Sequence, residues 1–119
     1  MMDGFLNILK PPGMSSHDVI GAVRKVLRMK RVGPAGTLDP AAAGVLPVAV
    51  GQAARLIEYL ELADKTYRAE LTFGFATDSG DDTGKITEEV TDFMMPSPEA
   101  IEHVLAGFTS RIRQTPPAH

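Results

Sequence analysis

The stretch GPAGTLDPAAAGVLPVAVG, residues 33–51, decides how this chain is read. Three prolines and four glycines surround one acidic residue, Asp39, and no other charge occurs there. Pro40 restrains Asp39 to extended backbone angles, while Gly33, Pro34 and Gly36 shape a tight approach to it. Two readings of the carboxylate stand side by side. In LDPAAAG, Asp39 can be an N-cap with Pro40 opening a helical turn, a pairing that needs no function. Alternatively, a carboxylate on a preset loop is what a nucleophile requires.

On the C-terminal side, VLPVAV (45–50) reads as the start of a buried strand, with Pro47 demoting it to an edge or bulge position. QAARLIEYLELADK (52–65) has helical composition, with Leu56, Tyr59, Leu60 and Ala63 as its apolar stripe. TYRAELTFGF (66–75) alternates Tyr67, Ala69, Leu71, Phe73 and Phe75 at period two, predicting a strand with one buried face. The polar segment ATDSGDDTGKITEEV (76–90) leads into another strand, KITEEV. Its acids do not fit a calcium loop, because Gly80 and Thr83 stand where that pattern wants an acid or amide and a glycine. SPEAIEHVLAGF (97–108) predicts a helix with Ser97 as N-cap and Pro98 first, turning Ile101, Val104, Leu105 and Phe108 inward.

On the N-terminal side, FLNIL (5–9) predicts a short strand closed by the turn KPPG. SSHD then starts a helix, with Ser15 and Asp18 spaced as a capping box, although Ser16 can also serve as the cap. Val19, Ile20, Val23, Val26 and Leu27 recur at helical spacing, and Arg24, Lys25 and Arg28 point elsewhere.

Composition limits the alternatives. A chain of 119 residues with 44% apolar and 23% charged residues is at most one globular domain, small for an enzyme acting on a macromolecule. Without cysteine there is no disulfide framework, thiolate metal site or cysteine nucleophile. No apolar run approaches bilayer length and the N-terminus has no secretory pattern, so a cytoplasmic location without membrane contact is expected. Charge is polarised along the chain. Residues 1–77 hold nine Lys/Arg against seven Asp/Glu, and residues 78–119 hold three against eight. Five of the twelve basic residues, Arg24, Lys25, Arg28, Lys30 and Arg31, fall within RKVLRMKR. That cluster is either a solvated helix face or a surface that tracks phosphates. His17, His103 and His119 lack zinc-helix spacing, and neither a phosphate-binding glycine loop nor a GxSxG elbow occurs.

Three motifs in order, LNILKPPGMSSHDVI, GTLDPAAAGVLPVAVGQAARL and DKTYRAEL, together with GFATDSGDDTGKI and IRQTPPAH, resemble the TruB family of tRNA pseudouridine synthases over nearly the whole chain. The resemblance implies an α/β architecture of the pseudouridine synthase type, a mixed, largely antiparallel sheet flanked by helices, incomplete in this chain. It implies an isomerase that converts uridine 55 in the tRNA T-loop to pseudouridine by base flipping, with tRNA as partner and neither metal nor cofactor. On the family motifs the nucleophile falls on Asp39 and the base-stacking tyrosine on Tyr67, while Lys10, Gly36, Leu38 and Pro40 support the loop. Arg24, Lys25, Arg28, Lys30 and Arg31 become candidates for the RNA backbone. Family members usually carry a histidine where this chain has Pro34, which removes an aid to base flipping.

Catalytic domains of the family run well past the double-proline segment. Residues 1–119 are therefore expected to be the N-terminal part of one, without the C-terminal remainder and RNA-binding domain, and to be inactive and prone to self-association when alone. Two other classes stay open. One is a noncatalytic RNA-binding module. The other is a glycoside-cleaving enzyme pairing Asp39 with Glu70, disfavoured because Glu70 falls on the strand face opposite Tyr67.

Overall fold

A computed structural model describes residues 2–116. The chain divides into two compact units, Met1–Thr66 and Tyr67–His119.

The first unit is a three-stranded sheet with β1 (Gly4–Lys10), β2 (Val32–Pro34) and β3 (Gly44–Val50) in the order β1-β3-β2, both pairings antiparallel. Helix α1 (Ser16–Leu27) joins β1 to β2. The expected capping box is formed: the Asp18 amide donates to Ser15 Oγ (3.1 Å), and the Ser15 amide donates to Asp18 Oδ2 (2.9 Å). The Ser15 hydroxyl also donates to Asp18 Oδ2 (2.7 Å), and this bond first, with that of the Ser15 amide, holds the Asp18 carboxyl below the usual carboxylate range. The helix ends at Arg28, a left-handed residue (φ 52°) whose amide reaches back to the Arg24 carbonyl.

The core lies between α1 and the sheet. Val19, Ile20, Val32, Leu46 and Val48 form its buried centre, and Leu6, Ile8, Met14, Val23, Met29 and Leu38 pack around them. Val26, assigned above to the apolar face, is instead 79% exposed. It lies near the C-terminal end of α1, and the stripe of Val19, Ile20 and Val23 covers the sheet without it.

Pro47 departs from its expected place at an edge, since β3 is the central strand. In an antiparallel ladder a residue's N–H and C=O face the same neighbour. The Pro47 carbonyl accepts from the Ala35 amide (2.8 Å), so its ring nitrogen also faces the β2 side, one position beyond the last paired residue, Pro34. Little ladder is lost there. The segment after β3 is also shorter than its composition predicts. A 3₁₀ helix (Gly51–Leu56) runs into a single turn of α-helix, α2 (Ile57–Leu60). The change from three to 3.6 residues per turn breaks the expected stripe: Leu56, Tyr59, Leu60 and Ala63 are all exposed, whereas Ala53 is buried and Ile57 half-buried. Gly51 has φ +64°, and a Cβ there would collide with the Met2 carbonyl and the Asp3 carboxylate.

In the second unit β4 (Phe75–Thr77) pairs antiparallel with β5 (Ile86–Glu89), followed by α3 (Pro98–Ala106), which Ser97 caps through the Ala100 amide. The long strand predicted over 66–75 is reduced to β4, and Tyr67 (67% exposed) and Leu71 (71%) have no covered face. Period-two alternation yields a strand only where a neighbouring edge pairs with it, and beyond one bond from the Val90 amide to the Gly74 carbonyl (2.7 Å) no strand among the described residues pairs with 66–74. Val104, Leu105 and Phe108 are likewise exposed rather than inward, with Ile101 half-buried. None of the described residues of this unit is buried. Its local order comes from the β4–β5 connection, where Asp81 Oδ1 accepts from Ser79 Oγ (2.7 Å), Thr83 Oγ1 (2.6 Å) and the Thr83 amide (2.9 Å). Those donors, the Thr83 hydroxyl first, lower the Asp81 carboxyl to about 2. No helix among the described residues is long and apolar enough to cross a membrane.

Two outcomes are expected. In equilibrium urea unfolding, Leu46→Ala should cost roughly 2–5 kcal/mol through the lost contacts and the cavity left behind, whereas Val26→Ala should stay within about 0.5 kcal/mol. For Asp81, a folded-state value below the unfolded one means that its hydrogen bonds stabilise the β4–β5 connection above the ordinary carboxylate range and lose that effect as pH falls toward about 2. Carboxyl NMR titration should place the midpoint near that value.

Candidate active site

The loop between β2 and β3, residues 35–43, carries Asp39 on the surface of the first unit. Buried polar side chains fix its neighbours on both sides. Alternation along β1 turns Leu6, Ile8 and Lys10 toward the core, which puts an ammonium group where an apolar residue is normal. Lys10 is fully buried, and its Nζ donates to the carbonyls of Pro11 (2.9 Å), Met14 (2.6 Å) and Pro40 (3.3 Å). A buried cation without such partners costs several kcal/mol, so the three carbonyls are held converged on it. The Gly13 amide adds a bond to the Pro40 carbonyl (2.7 Å), fastening the KPPG turn to the residue after Asp39.

The residue before Asp39 is held from α1. Ser16 Oγ donates to the Leu38 carbonyl (3.2 Å) and accepts from the Leu38 amide (3.0 Å), while the Leu38 side chain packs against the core. Among the described residues every buried side-chain nitrogen or oxygen has a hydrogen-bond partner. Gly36 has φ +105° with open space around its missing Cβ, so backbone angle and not crowding demands glycine there.

Asp39 is exposed, and no hydrogen bond to its carboxylate occurs among the described residues. Its carbonyl accepts from the Ala42 amide (3.0 Å), closing one turn with Pro40 in its second position. That turn is not continued into a helix, and the Asp39 side chain caps no amide among the described residues, so the capping alternative finds no support there. The result is an anion with a fixed backbone and an uncommitted head group, a suitable arrangement for nucleophilic attack.

The remaining candidates are spread out. Arg24 donates through Nη2 to the Val32 carbonyl (2.9 Å), and Arg31 through Nη1 to Gln52 Oε1 (3.0 Å), so both help to order the first unit. Lys25, Arg28 and Lys30 are exposed, with no side-chain hydrogen bond among the described residues. Tyr67 opens the second unit in an exposed, unpaired stretch that also holds Glu70. Local sequence marks Ser16 only as an alternative cap. The signal that marks it is helical spacing: residues 16, 19, 20 and 23 share the inner face of α1, and a hydroxyl on an apolar stripe needs a partner.

Residues 24–119 match the family described as TruB family pseudouridylate synthase (N terminal domain). The chain is 58% identical over 117 residues to the tRNA pseudouridine synthase B of Carboxydothermus hydrogenoformans, covering 98% of this chain and 40% of the relative. To the tRNA pseudouridine synthase B of Caldanaerobacter subterraneus subsp. tengcongensis it is 51% identical over 120 residues, covering 99% of this chain and 41% of the relative. A chain in the solved structure of an H/ACA RNP bound to a substrate RNA containing 2'-deoxyuridine is 45% identical, with a TM-score of 0.46, over 47% of this chain and 18% of that one. With its antiparallel sheets and the capped helices α1 and α3, the chain is of the mixed α/β class. It belongs to the TruB family of pseudouridylate synthases, and it spans about two fifths of the length of the curated relatives it matches.

Lys10→Met is expected to lower stability by roughly 2–3 kcal/mol in urea unfolding, because the Met14 and Pro11 carbonyls lose a charged donor of matching length. Backbone amide exchange should rise at Gly13, Met14, Asp39, Ala41 and Ala42 before it rises in β3.

Proposed function

We propose that the protein carrying this chain is a tRNA pseudouridine synthase that isomerises uridine 55 of the T-loop, with Asp39 as the nucleophile. The observation that carries this reading is the Asp39 loop: Leu38 and Pro40 are each tied to a buried polar side chain, and the carboxylate between them is left exposed. The names of the relatives, tRNA pseudouridine synthase B, support the substrate class.

The reaction breaks the bond between the sugar and the uracil nitrogen and forms a bond between the same sugar carbon and a ring carbon; the ring carbon gives up its proton to water and the freed nitrogen takes one up, so substrate and product are isomers. Nothing is oxidised or reduced. A carboxylate serves as a nucleophile that adds to a sugar or ring carbon and then leaves, which keeps the detached base in the site. The target uridine lies in a folded loop and must be turned out of its stack, and Tyr67 is the aromatic partner we assign to it. Lys25, Arg28 and Lys30 supply phosphate contacts, with Arg24 and Arg31 contributing charge to the same stretch. The chain is read as the N-terminal part of the catalytic domain, too short for turnover by itself, in a cytoplasmic enzyme.

Tritium release from T-arm RNA carrying 5-tritiated uridine tests this. The protein from its full reading frame should release tritium, Asp39→Asn should abolish release by roughly 10⁴-fold or more, and residues 1–119 alone should release none. Binding without release by the full protein would favour the noncatalytic RNA-binding reading. Neutralising Lys25, Arg28 and Lys30 together should flatten the plot of log affinity against log salt by about one for each lost phosphate contact.

A further inference from the structure

We propose that Ser16 is a positioning residue for Asp39: its hydroxyl, fixed at the start of α1, sets the peptide plane from which the carboxylate projects. The proposal rests on Asp39 acting as the nucleophile.

Ser16 is the first residue of α1 and only 6% exposed. The Ser15–Asp18 capping box immediately before it fixes the backbone at that point, so Ser16 Oγ has little freedom of its own. That oxygen meets one residue twice, donating to the Leu38 carbonyl (3.2 Å) and accepting from the Leu38 amide (3.0 Å). Bonds to both ends of a single residue restrain its two backbone dihedrals together, and the Leu38 side chain is held independently by the core.

The Leu38 carbonyl and the Asp39 amide belong to one planar unit, so fixing the former orients the latter. Beyond Asp39, the Pro40 carbonyl is held by Gly13 and Lys10, and the Asp39 carbonyl is engaged by Ala42. Side-chain rotation is then the main freedom left to Asp39. The Ser16 bonds act on the side of Asp39 that Lys10 does not reach. A nucleophile displaced by about 1 Å loses on the order of a hundredfold in rate even when the substrate still binds. Ser16 touches neither base nor sugar in this scheme; it acts through Leu38.

The test uses the protein from its full reading frame, with Ser16→Ala and the pair Ser16→Thr and Ser16→Val, which share a shape and differ in the hydroxyl. Tritium release from T-arm RNA should show kcat lowered roughly 10–100-fold in Ser16→Ala, with KM for the RNA within about threefold of the parent. Ser16→Thr should recover most of the rate and Ser16→Val should not. Exchange of the Leu38 amide should quicken by about tenfold or more in Ser16→Ala, while β3 amides stay protected. Unchanged kcat in Ser16→Ala, a rise in KM alone, or equal rates in the Thr and Val variants would overturn the proposal. If Ser16→Ala does not fold, the Thr and Val pair decides by the same criterion. Asp39→Asn in the parent separates the two levels: retained activity there removes the nucleophile reading itself, whereas a dead Asp39→Asn beside a fully active Ser16→Ala removes only the role of Ser16.

Discussion

The ammonium of Lys10 is the constraint on which the first unit is organised. A charge at a core position of β1 is tolerable only if it is fully solvated by the protein, and the Pro11, Met14 and Pro40 carbonyls perform that task. Two of these carbonyls come from the turn that follows β1, and the third comes from the loop between β2 and β3. Satisfying Lys10 therefore joins segments thirty residues apart and ties the Asp39 loop to the end of β1.

Around that bond the loop is held by unlike means. Gly36 supplies a positive φ, Pro40 limits the angles of Asp39, the half-buried Leu38 side chain packs against the core, and Ser16 restrains the Leu38 backbone from the start of α1. None of these contacts uses the carboxylate. If Asp39 is the nucleophile, as proposed above, the site gains from this separation, because the scaffold consumes no lone pairs of its carboxylate.

The second unit follows a different logic. Its hairpin connection is organised by hydrogen bonds to Asp81, and its aromatic contact is the tilted pair Phe73–Phe93, 6.5 Å between ring centroids. Tyr67, Leu71, Val104, Leu105 and Phe108 stay exposed, so the apolar periodicities of 66–75 and 97–108 exceed the burial they obtain here. Periodicity reports which faces are suited to burial; a partner surface decides whether burial occurs.

By itself the sequence determined what depends on near neighbours along the chain: strand β1, the capping box and start of α1, the Ser97 cap of α3, and the motifs that mark the family. These rest on steric and hydrogen-bonding preferences within a few residues. The prominence of Asp39 was legible in the same way, since prolines and glycines around one charge need no tertiary information to be noticed. Only the tertiary structure decided that Asp39 caps no helix, that Pro47 lies in the central strand opposite a terminated neighbour, and that Ser16 faces Leu38 across 22 residues. Each of these is a pairing between distant segments, set by where β2 ends and how α1 lies on the sheet, and no local preference encodes it.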